Sequence, residues 1–403
     1  MKKRLLSLVL AATSAILCCA CSSDKQDDSS KEFTPEQIAF NTYHSNTYIA
    51  TGNNYMIEEA NSVTYRAYFP LEKYGESNYA FYFSNNVDST YDNGGVAHIG
   101  QKTGSYTIES AFVADGGTGE EDEITNRTQV TFDGKKAKEV KSGETFWSDS
   151  VKMNYKKGHY LVWEWTVTGK DIPCTRMSAL TSATYAQKGE DTFSFTEQLP
   201  LPQIIGTDAE FKGTVAAIGD SITQGCQTDF MAYEFWAARI AQSLADDYSF
   251  YNGGLGWSRA SDAVESENWV DRVKQAETVI VAFGTNDVAA GKYGDKKGAT
   301  AEQFMGYIKD ITKKLTEADC HVIVFTLPPE NFKDDLEQTR LDINKQIKAE
   351  YADSDDVDVF DFASYLCDSK TPAVAKYGAH PNGEGGEIVA KAFLKEFKDL
   401  FQA

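Results

Sequence analysis

The chain has 403 residues, 41% of them apolar and 12% aromatic, enough for a substantial core and more than one typical domain. Its formal net charge is −21. A surface so acidic repels nucleic acid and anionic membrane faces, which excludes basic-patch functions and leaves neutral substrates such as sugars and their esters.

Residues 1–21 read as an export signal: Lys2-Lys3-Arg4, an apolar run too short to span a bilayer, then small residues. Leu17-Cys18-Cys19-Ala20-Cys21 resembles a bacterial lipobox with Cys21 as the lipidated residue, so a membrane-anchored lipoprotein at the cell surface is expected, with an ordinary secretory signal as the alternative. Losing Lys2, Lys3 and Arg4 with the signal leaves 36 basic against 60 acidic side chains, a net of −24. Residues 22–32 are polar and read as a flexible tether.

Residues 33–205 read as an all-β jelly-roll-like sandwich without a helix. Short apolar or alternating runs at 63–69, 79–83, 105–113, 128–132, 150–153 and 160–167 are separated by Gly-rich turns. Glu197-Gln198-Leu199-Pro200-Leu201-Pro202 reads as an extended connector. Residues 206–403 then alternate strand and helix. Strands are expected at 214–218, 248–252, 278–283, 321–326 and 357–362, and helices at 232–245, 266–275, 301–317, 336–351 and 386–401. That order predicts a three-layer α/β/α module with a parallel five-stranded sheet. Cys174, Cys226, Cys320 and Cys367 allow three disulfide pairings or none, and lack metal-site spacing.

Open parallel sheets bind ligands at the carboxyl ends of their strands. Ser221 follows the first strand there, in Gly219-Asp220-Ser221-Ile222-Thr223, as either a helix N-cap or a nucleophile. A nucleophilic serine needs a base. Of five histidines, His44, His98 and His159 lie in the β half, and His321 opens the fourth strand at the opposite edge. His380, after the fifth strand, is left as the base. Asn252-Gly253-Gly254 and Gly284-Thr285-Asn286-Asp287 follow the second and third strands and offer backbone and amide N–H groups.

These blocks, with His380-Pro381-Asn382, resemble the SGNH hydrolases, or GDSL esterases, over about residues 211–403. The resemblance implies a flavodoxin-like sheet, Ser221 as nucleophile, His380 as base, and an oxyanion hole of the Ser221 and Gly254 N–H groups and the Asn286 side chain. The GxSxG elbow of the α/β-hydrolases is absent. Phe81-Tyr82-Phe83-Ser84-Asn85, Thr131-Phe132-Asp133-Gly134 and Trp147-Ser148-Asp149 resemble the sandwich that precedes this module in exported carbohydrate esterases.

One departure concerns the acid. The family has Asp three residues before the histidine, where this chain has Tyr377. Three readings stay open: a Ser–His dyad steadied by a backbone carbonyl, a carboxylate brought from Glu384 or Asp361, or a binding protein without hydrolysis. Trp257 and Arg259 are candidates for the substrate rim, with core packing or an ion pair as the alternative. Asp220 and Asp287 read as turn- and loop-bracing acids. No metal or nucleotide motif occurs, so no cofactor is expected. The expected activity is hydrolysis of short acyl esters, acetyl foremost, on polysaccharide or oligosaccharide. The alternatives are a lipase or lysophospholipase and a non-catalytic glycan-binding lipoprotein.

Overall fold

A computed structural model of the chain describes residues 34–89, 99–176, 183–189, 191–293 and 298–401. The signal segment, Cys21, the tether and His98 lie outside the described residues.

The first half is built on two antiparallel sheets. The larger has eight strands, with Tyr55–Pro70, Tyr160–Arg176 and Tyr106–Asp115 side by side at its centre. The smaller centres on Gly75–Ser84, flanked by Ile204–Thr207 and by Thr145–Trp147 and Val151–Tyr155. Period-2 alternation buries aromatic side chains between them. Phe81 lies 4.5 Å from Trp163 and Phe83 lies 5.4 Å from Trp165, centroid to centroid.

Two expectations for this half need correction. A helix, Pro35–Thr42, precedes the strands, closed by a capping box in which Thr34 and Gln37 bond each other's backbone. The stretch near Leu199 is more than a connector, because Gln198–Leu199 pairs with Tyr160–Arg176 and Ile204–Thr207 pairs with Gly75–Ser84. Cys174, Cys226, Cys320 and Cys367 are all free thiols.

The second half holds the predicted parallel sheet. Its strands are Gly213–Gly219, Tyr248–Gly254, Thr278–Ala282, His321–Phe325 and Val357–Phe360. Numbered along the chain, their spatial order is 2-1-3-4-5, the flavodoxin-like arrangement. Sequence order reverses beside the first strand, so the crevice opens where Gly219 ends.

The second strand, an edge of that sheet, is covered by the β half. Thr47 forms a parallel bridge to Tyr251, Ser249 Oγ donates to Ser45 O at 2.8 Å, and Asn252 Nδ2 donates to Tyr48 O at 3.1 Å. Edge backbone groups must find partners somewhere. Residues 45–48 supply them here, and buried Glu72 accepts from Phe250 N at 3.1 Å.

Candidate active site

Ser221 is the first residue of the helix Ser221–Gln224, which starts directly beyond the first parallel strand. The N-cap is Asp220, whose Oδ1 accepts from Ile222 N at 2.9 Å. With the cap filled by its neighbour, the serine hydroxyl is free for other work. Its partner is His380, with Ser221 Oγ 2.8 Å from His380 Nε2. The histidine sits in the loop before the helix Gly383–Glu396, which Asn382 caps by accepting from Gly385 N at 3.0 Å. Residues 159 apart in sequence thus meet at one end of the sheet.

Burial lowers the His380 pKa from its ordinary 6.5, which favours the neutral imidazole. Neither candidate acid reaches the ring. Asp361 accepts from Thr326 Oγ1 at 3.0 Å and Lys348 Nζ at 2.6 Å. Glu384 is exposed in the first turn of the last helix. Tyr377 lies under Lys376, whose Nζ is 4.9 Å from the ring centroid. Among the described residues, the hydrogen bond recorded for His380 is the one to Ser221.

Asn286 lies in the first turn of the helix Thr285–Tyr293, largely buried, and its Nδ2 donates to Ser258 O at 2.9 Å. An amide nitrogen carries two hydrogens, so this bond fixes its direction and leaves one hydrogen to offer. The Ser221 N–H is among those a helix start leaves without an intrahelical acceptor.

Gly254 differs from expectation. Its N–H donates to Asn252 Oδ1 at 2.9 Å, so it is engaged within its own loop. The glycine is required for another reason: a Cβ there would lie 2.5 Å from Gln224 N, inside the serine helix. Gly254 therefore lets that helix approach the second strand. Asn252 ties the same junction, donating to Thr223 O at 3.1 Å.

Arg259 is buried and its charge acts to lower the pKa of Asp287, which fits the packing and ion-pair alternative to a place on the substrate rim. Trp257 is half-buried in the turn after the second strand, with a left-handed φ of 66°. Asp287 Oδ2 accepts from Ala260 N at 3.0 Å, the bracing role expected of it. Burial pushes Asp220 up to about 7 and Asp287 up to about 6, and the charge of Asp287 adds to the shift of Asp220.

Sequence reasoning missed Asn54. This buried residue of the β half donates from Nδ2 to Gly256 O at 3.0 Å. No periodicity or motif marks a contact across 202 residues.

Residues 217–388 match the model of the GDSL-like lipase/acylhydrolase family. This part of the chain belongs to that family. The GDSL-like domain is thus one of ester-bond hydrolases, and the matched span contains both Ser221 and His380. No curated protein sequence matches the chain.

Solved structures similar to this chain include three of low identity. A member of the lipolytic G-D-S-L family from Veillonella parvula is 19% identical, with 46% of this chain and 98% of that one covered and a TM-score of 0.37. A GDSL-like lipase from Bacteroides thetaiotaomicron is 17% identical, with coverages of 47% and 89% and a TM-score of 0.38. A family two carbohydrate esterase from Cellvibrio japonicus is 12% identical, with coverages of 89% and 94% and a TM-score of 0.37.

Proposed function

We propose that this protein is a serine esterase removing short acyl groups, acetyl foremost, from polysaccharide or oligosaccharide. The observation that carries the reading is the 2.8 Å approach of Ser221 Oγ to His380 Nε2 at the carboxyl end of the parallel sheet. Ser221 attacks the ester carbonyl while His380 takes its proton. The oxyanion is met by the Ser221 N–H and the remaining Asn286 N–H. His380 then passes the proton to the leaving sugar hydroxyl, and water repeats the sequence on the acyl-enzyme.

His380 works in this reading as one half of a dyad. Both alternative carboxylates have other surroundings, Asp361 with Lys348 and Glu384 in solvent. A carbohydrate leaving group is compatible with the acidic surface, and it fits the export address read in residues 1–21, with anchoring through Cys21.

Acetate release from acetylated xylan by wild type and Ser221→Ala tests this reading. Release by wild type alone supports it. Negligible release by both, with binding of the glycan intact, would favour the non-catalytic reading. Faster hydrolysis of aryl octanoate than aryl acetate would favour the lipase reading.

A further inference from the structure

The turn 254–258, which carries Trp257, is tied from three sides. Leu255 N donates to Gly219 O at 2.9 Å and Ser258 Oγ donates to the same carbonyl at 3.0 Å, which fastens the turn to the end of the serine's own strand. Ser258 O receives the Asn286 amide at 2.9 Å. The third tie comes from the β half, where Asn54 Nδ2 reaches Gly256 O at 3.0 Å.

Asn54 is itself locked. Its Oδ1 accepts from Arg176 N at 3.0 Å, and because a backbone N–H can be matched only by the amide oxygen, the NH₂ must face Gly256. Trp257, the next residue, holds a left-handed φ of 66° that costs a non-glycine residue about 1–3 kcal/mol and persists only when its surroundings enforce it. The Asn54 amide bonds the carbonyl of the peptide that leads into Trp257.

We propose that Asn54 is a positioning residue for the esterase reaction, acting through Gly256 O to hold the turn and through Ser258 O to aim the Asn286 amide. The inference rests on the esterase reading above. It gives the β half a part in turnover, since one wall of the site is fixed by a side chain from the sandwich. Oxyanion donors act by being fixed before charge develops. A slack turn therefore lowers kcat and leaves KM, which reports the weakly held ground state, nearly unchanged.

The test compares Asn54→Asp and Asn54→Ala with Asn53→Ala in the full chain. Asn54→Asp is nearly isosteric, keeps the acceptor for Arg176 N and turns a carboxylate oxygen against Gly256 O. Asn53 is buried in the same segment, but among the described residues its side chain bonds only within the β half: to Ser84 O at 2.9 Å, Asn86 O at 3.1 Å and Gln203 Nε2 at 3.2 Å. On an aryl acetate, both Asn54 variants are expected to lose about tenfold or more in kcat, with KM within about twofold. Asn53→Ala is expected to lose stability with kcat unchanged below its Tm. Wild-type kcat in Asn54→Asp, or an equal kcat loss in Asn53→Ala, would overturn the proposal. If Asn54→Asp does not fold, Asn54→Ala is judged by the same criteria. A wild-type enzyme inactive on aryl acetate would instead overturn the esterase reading, and the positioning role with it.

Discussion

Asp88 of the β half and Arg272 of the helix Glu267–Val273 form an ion pair at 2.6 Å with both side chains completely buried. Asp88 also accepts from Asn53 N at 2.8 Å, and Arg272 Nε donates to Tyr251 OH at 2.9 Å. The two halves are joined through a buried, charged junction, on the same edge strand that residues 45–48 cover. Removing one member strands the other in low dielectric. Asp88→Ala or Arg272→Ala is expected to cost about 3–5 kcal/mol in denaturant unfolding. A loss below about 1 kcal/mol would mean that water reaches the pair.

The His380 pKa sets the acid limit of activity. His380 must be neutral to accept the Ser221 proton, and burial moves its pKa down from 6.5. Activity is lost as pH falls through that lowered value, so the acid limb of kcat/KM is expected below pH 6.5. A pH–rate profile checks this. A limb above 6.5 would instead indicate a carboxylate holding the imidazolium.

The missing acid gives a second kinetic test. Glu384→Gln and Asp361→Asn are each expected to keep kcat within about threefold of wild type, because neither carboxylate contacts His380. A loss near 10⁴-fold in either would identify a triad acid. Asn286→Ala is expected to lose about 10²–10³-fold in kcat, as for other oxyanion donors.

The buried Asp220 carboxyl carries a pH-dependent cost. Its pKa rises from 3.8 unfolded to about 7 folded, so the folded state binds more protons between those values. Stability contributed by this group therefore falls as pH rises through that window, and the full penalty remains above pH 7. Asp220→Asn keeps the acceptor for Ile222 N and removes the charge. It is expected to raise stability by on the order of 1–3 kcal/mol at pH 8 and by less at pH 5, read by denaturant unfolding. An equal gain at both pH values would contradict the assignment.

Much of this site was legible in the sequence because each part sits at the end of a buried strand. Val215-Ala216-Ala217-Ile218 and Val279-Ile280-Val281 are apolar on both faces, which a covered parallel sheet demands, and the Gly219-Asp220-Ser221 and Gly284-Thr285-Asn286 turns beyond them mark the carboxyl edge. Thr34-Pro35-Glu36-Gln37 carried a helix-start signal in plain view, but Pro35–Thr42 buries no residue and so shows no apolar stripe. The role of Gly254 was misread because a glycine that frees an N–H and one that lets a helix approach look alike in sequence. Asn54 left no trace, since its partner is set by how the halves dock.

The acyl-enzyme on Ser221 is the most direct test of the account. Wild-type protein mixed with excess aryl acetate and acid-quenched within the first turnovers is digested, and the peptide containing Ser221 is analysed by mass spectrometry. One acetyl group on Ser221, absent from Ser221→Ala and depleted by waiting until substrate is exhausted, is the predicted result. Steady hydrolysis by Ser221→Ala at the wild-type rate, with no acetyl on this peptide in either protein, would contradict it.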